Sequence, residues 1–129
     1  MDDLNSSGIS CRTGNTAFQV THEKSIVIDR QVAFIMTFNQ DRTAYLRNRE
    51  FGLIDRNPGD VAEITAVFEN DWNRTAPAPN PNLVWSPVNS RERITKLIDN
   101  AKNRLYVENE EMQDKKSRRS SHIRGPKRC

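Results

Sequence analysis

At 129 residues, 35% of them hydrophobic and 29% charged, the chain has the length of one small domain and not of two ordinary ones. No apolar run approaches the roughly 20 residues that cross a bilayer, and the acidic start Met1-Asp2-Asp3-Leu4 lacks the apolar segment of a secretory leader, so the expected place is the cytoplasm or a membrane surface. The net charge of +3 conceals an asymmetry: residues 115–129 hold seven Lys or Arg and no acid, which leaves 13 basic and 17 acidic residues, a net of −4, in the first 114, so the pI of about 9.1 does not mark the folded part as a nucleic-acid binder.

Residues 1–16, rich in Ser, Asn, Gly and Thr, read as a flexible arm. Phe18 to Asp29 reads as a strand within 17–29, with Phe18, Val20, His22, Lys24, Ile26 and Ile28 on one face and Gln19, Thr21, Glu23, Ser25 and Val27 on the other. The first face is the more apolar and is expected to be buried. A short turn at Asp29-Arg30-Gln31 and a second apolar run, Val32 to Phe38, suggest a hairpin. A polar, Arg-rich connection from Gln40 to Glu50 leads to a short strand, Phe51 to Ile54, and a turn at Asp55-Arg-Asn-Pro-Gly59. Asp60 is suited to cap a helix over 60–73, with Val61, Ile64, Thr65, Phe68 and Trp72 on its apolar face. Trp72 reads as an anchor of that face.

The Pro-rich stretch 75–82 ends this segment as a stiff linker. Beyond it, Leu83-Val-Trp85 reads as a strand, and Asn89 or Ser90 caps a helix with Ile94, Leu97, Ile98 and Ala101 on one face. Arg104 to Asn109 reads as another strand, completing a β-α-β unit with parallel strands. The basic tail, 113–129, changes composition abruptly.

A histidine and a lysine two residues apart on an apolar face need compensation, because burying the lysine's charge is costly. A carboxylate or a phosphate would supply it. The spacing His22-x-Lys24, four residues, then Asp29 resembles the H-x-K-x4-D motif of the phospholipase D superfamily. The family's G-S-x-N run falls at Met36-Thr37-Phe38-Asn39. Asn39 is in register, Thr37 replaces one hydroxyl by another, and Met36 departs from the glycine. The second segment resembles the opening of a further repeat, through Ile98-Asp-Asn-Ala-Lys102 and Leu105-Tyr-Val-Glu-Asn109.

The resemblance implies an α/β chain, a fragment of the phospholipase D-like α/β/α sandwich. Residues 17–74 would be the end of one repeat and 83–112 the start of the next. A shifted reading frame or an early stop would give the tail its composition, as would a true basic extension. The resemblance further implies a phosphodiesterase or transphosphatidylase with a phosphohistidine intermediate and no metal or cofactor. His22 would be nucleophile or acid/base and Lys24 and Asn39 phosphate ligands, with Asp29 orienting an imidazole. Thr37 offers a hydroxyl to phosphate or to Asp29, or satisfies its own strand. Glu23 points to the other face.

The family mechanism uses two such motifs, and this chain holds one. His122, the only other histidine, reaches Cys129 where an aspartate would be required. Self-association would pair two motifs. The substrate is a phospholipid or another phosphodiester such as a nucleic acid. The contrasting reading is a non-catalytic remnant whose basic tail contacts nucleic acid or an anionic membrane. A small metal-dependent hydrolase has almost nothing behind it, with two histidines, one of them in the tail, and neither Cys11 nor Cys129 has a second Cys or a His at zinc-ligand spacing.

Overall fold

A computed structural model of the chain describes residues 2–75, 82–109 and 111–115. These fall into two compact units, Met1–Leu83 and Val84–Cys129. Most of the linker and of the basic tail lies outside the described residues.

The first unit is a small mixed α/β body. Its three-stranded antiparallel sheet is formed by β1 (Ser25–Ile28), β2 (Val32–Met36) and β3 (Gly52–Asp55), in that order. Ser25 pairs with Ile35 and Ile28 with Val32, while Ala33 pairs with Asp55 and Met36 with Gly52. The hairpin closes through Gln31 N–H donating to the Ile28 carbonyl at 2.9 Å. Asp29 and Arg30 both have φ of 54°, in the left-handed region, and with Gln31 they make the three residues between the paired Ile28 and Val32. Asp tolerates this region through its short polar side chain; Arg does so less well. The sheet thus turns without a glycine.

The strand expected over 17–29 is ordered as β only from Ser25. Its face is also the reverse of the expected one. Ile26 and Ile28 are 38% and 53% exposed, whereas Ala33, on the opposite face, is fully buried. The reason is the helix: α3 (Pro58–Asn73) packs on β1 and β2, and its Val61 and Ile64 are buried with Ala33. Ala33 has the smallest side chain on its strand and is buried completely. The pattern of apolar residues marked both faces as suitable for burial, and α3 supplies cover for one.

Helix α3 starts two residues before the expected Asp60. Pro58 occupies its first turn, and the Asn57 side chain accepts from the N–H groups of Gly59 and Asp60, a cap worth about 1 kcal/mol. Of its expected apolar face, Phe68 is exposed, but it stacks on Trp72 with ring centroids 5.8 Å apart. The Arg12 guanidinium lies 4.7 Å over the Trp72 ring and donates to the Trp72 carbonyl. Asn15 reaches Asp71. The stretch read as a flexible arm is therefore pinned at one end of α3, and it opens with a short helix, α1 (Asp2–Ser6).

A further helix, α2 (Arg42–Leu46), stands in the connection read as irregular. The Asp41 carboxylate accepts from the Ala44 N–H and caps it. Ala44, its one buried residue, seats it on the sheet unit.

The second unit holds α4 (Ser90–Asp99). Thr95 and Ile98 are buried, whereas Leu97 is exposed, so the expected face of Ile94, Leu97 and Ile98 is shifted. Residues 83–85 and 104–109 do not form strands; the β-α-β reading of this unit is corrected to one helix flanked by irregular chain. Arg91 pairs with Asp114 at 2.7 Å.

Candidate functional site

The sheet brings the ends of three connections together. Met36 N–H donates to the Lys24 carbonyl and Thr37 N–H to the Phe51 carbonyl, each at 3.0 Å. The segments just before β1, just after β2 and just before β3 therefore meet at one end of the sheet. His22 and Lys24 come from the first, Thr37 and Asn39 from the second, and Glu50 from the third.

The Lys24 Nζ lies 2.9 Å from Nδ1 and 3.1 Å from Nε2 of His22. Two residues apart on one face of extended chain, the side chains converge as their spacing predicts. Which ring nitrogen accepts from the ammonium depends on the tautomer, and the contact sets both beside it. His22 is exposed and Lys24 half-buried, which leaves room for a ligand against both. Asn39 is exposed beyond β2, and its carbonyl accepts from the Asp41 N–H at 2.9 Å.

The Thr37 hydroxyl donates to a Glu50 carboxylate oxygen at 2.6 Å and accepts from the Phe51 N–H at 3.0 Å. It therefore ties the ends of β2 and β3 together, the structural one of its expected roles. Glu50, which the sequence did not single out, also accepts from the Asn48 amide. It is a carboxylate at this end of the sheet, and its eleven-residue separation from Asn39 gave no motif to read.

Asp29 stands apart from the group. It lies beyond β1 in the hairpin turn, and at about 3.3 Å per residue it is set roughly 16 Å from Lys24. It is exposed and makes no side-chain hydrogen bond among the described residues, so within one chain it is not brought to His22. The spacing is kept while the orienting role is not seen. Among the described residues, no group of three or more His, Cys, Asp or Glu is placed to hold a metal ion, and no helix is long and apolar enough to cross a membrane.

The family model for the PLD-like domain of cardiolipin synthase matches residues 1–72, a span that runs from the pinned arm through the sheet to Trp72. No curated protein and no solved structure matches the chain. The match takes in His22, Lys24, Asp29 and Asn39 and covers more than half of the sequence; the chain belongs to the phospholipase D superfamily.

Proposed function

We propose that the chain acts as a phospholipase D-type phosphodiesterase on phospholipids, through a phosphohistidine. The observation that carries the reading is the contact between the His22 imidazole and the Lys24 ammonium, at the sheet end that Asn39 shares. A phosphate oxygen arriving there takes the ammonium as its donor, and the ring nitrogen is released to attack phosphorus. The N–P bond forms as the P–O bond to the leaving alcohol breaks, and a second imidazole protonates that alcohol. Water, or another alcohol in transphosphatidylation, then attacks phosphorus and restores His22. Lys24 and Asn39 offset the charge that gathers on the phosphate oxygens. The second imidazole comes from a second copy of the chain, since His22 is the one histidine with the motif around it. In this reading the sheet is one half of a sandwich whose other cover is supplied on association.

The test is release of p-nitrophenol from bis(p-nitrophenyl) phosphate by wild type and by His22→Ala. Loss of about 10²-fold or more in the variant is expected. Equal rates would overturn the reading. A phospholipid and a single-stranded oligonucleotide, offered side by side, decide the substrate class.

A second reading, a non-catalytic interaction protein, is favoured by the single motif and by the distance of Asp29 from His22. A folded wild type with no hydrolysis at any concentration, and binding to anionic surfaces lost on removing the tail cations, would establish it.

A further inference from the structure

The connection between β2 and β3 lies at the same end of the sheet as His22 and Lys24, and its surface is unusual. Arg42, Arg47 and Arg49 are all exposed, and none of the three guanidinium groups makes a hydrogen bond or ion pair with the described residues. The neighbouring acids bond neutral donors and keep their charge: Asp41 caps α2, and Glu50 accepts from Thr37 and Asn48, so three arginines against two acids leave residues 40–51 a net of +1. Between the arginines stand Tyr45 and Leu46, 59% and 68% exposed, and Phe51 follows at 61%. Buried Ala44 fixes which way α2 faces. Arg42 and Leu46, one helical turn apart, project away from it on the same side.

Large apolar side chains interleaved with arginines that form no ion pair with the described residues fit an anionic bilayer. The rings and the leucine enter the headgroup boundary, and the guanidinium groups meet lipid phosphates while their stems lie along apolar surface. A soluble anion would satisfy the arginines and leave Tyr45, Leu46 and Phe51 in water. We infer that the β2–β3 connection is the surface on which this chain docks to anionic lipid, bringing the His22–Lys24 end of the sheet to the headgroups. The inference rests on the proposed phospholipid chemistry for its purpose, but its test does not.

The experiment is flotation of the full chain with vesicles of phosphatidylcholine alone and of phosphatidylcholine with phosphatidylglycerol. Wild type is expected to bind the anionic vesicles, less so as salt is raised, and to leave the neutral ones. Replacing Arg42, Arg47 and Arg49 together by Ser should lower partitioning about 100-fold at low salt, roughly fivefold per arginine. Tyr45→Ser with Leu46→Ser should lower it about tenfold and leave the salt dependence intact. These positions are exposed, and unchanged far-UV circular dichroism establishes that the variants fold. A chain with the seven tail cations replaced by Ser should keep the difference between wild type and the arginine variant. His22→Ala should bind as wild type does while losing diester hydrolysis, so failure of docking and failure of the proposed chemistry are read separately. Equal binding to neutral vesicles, binding lost with the tail cations alone, or capture of a single-stranded oligonucleotide in preference to vesicles would overturn the inference.

Discussion

Arg30 shows how a motif can be kept and still sit awkwardly. It follows Asp29 in the hairpin turn with φ of 54°, a region that glycine enters at no steric cost. A non-glycine residue gives up about 1 kcal/mol or more in this region. Its ion pair with Glu69, 2.8 Å long with both side chains at least half exposed, returns only about 0.2–1 kcal/mol. Arg30→Gly is therefore expected to raise stability by a few tenths to about 1 kcal/mol, even after the added freedom of glycine in the unfolded chain. Urea denaturation reads the change, and Glu69→Gln alone gives the worth of the pair; a stability loss larger than that worth would count against strain at the turn. At this scale the site was half legible. An i, i+2 spacing fixes proximity, so the convergence of His22 and Lys24 followed from the chain alone. The separation of Asp29 did not, because a motif states order along the chain and is silent on which end of a strand each member occupies.

The elements that local chemistry decides were the legible ones. The helix after the Asp55–Gly59 turn was read, although its cap is Asn57 and not Asp60, and the apolar runs on either side of Asp29-Arg30 make a hairpin. Asp41, three residues ahead of Ala44, is a cap signal of the same kind, hidden by the Arg-rich composition around it. What local chemistry leaves open is partnership. Residues 17–24 and 104–109 have strand-like composition, but a strand needs a neighbour to take its N–H and C=O groups. β1 finds one from Ser25 to Ile28, where β2 lies alongside. Close packing also constrains β3. A Cβ added at Gly52 would meet the Phe34 ring at 2.9 Å, nearer than side chains come without displacement. Phe34 in turn leans edge-on against Phe38, and Phe38 against Tyr45. Gly52→Val is expected to cost about 1–3 kcal/mol through this overpacking. A lowered midpoint in thermal unfolding, restored in part by Phe34→Leu, checks the cause; an unchanged midpoint would mean the ring moves aside freely.

Across the whole molecule, two features point the same way. The face of the sheet that α3 does not cover carries Ile26, Ile28 and Ile54, all more than a third exposed, and the His22-x-Lys24 motif is present once where the proposed chemistry needs two imidazoles. Burial of an apolar face and completion of the site would both follow from pairing of two chains about a two-fold axis. Under that arrangement the specific activity per chain rises with concentration and then levels off as dimers saturate. A sharper test mixes chains. Adding an equal amount of His22→Ala to saturating wild type makes about half of the wild-type chains pair with a partner that lacks the imidazole. Diester hydrolysis should then fall to about half its rate, although no wild-type chain has been removed. A chain that completes its site alone would show no loss on mixing, and its specific activity would not depend on concentration. Sedimentation equilibrium on the same mixtures separates these outcomes from a failure to associate: dimers with the halved rate support a shared site, and dimers with the full rate assign association to the open apolar face alone.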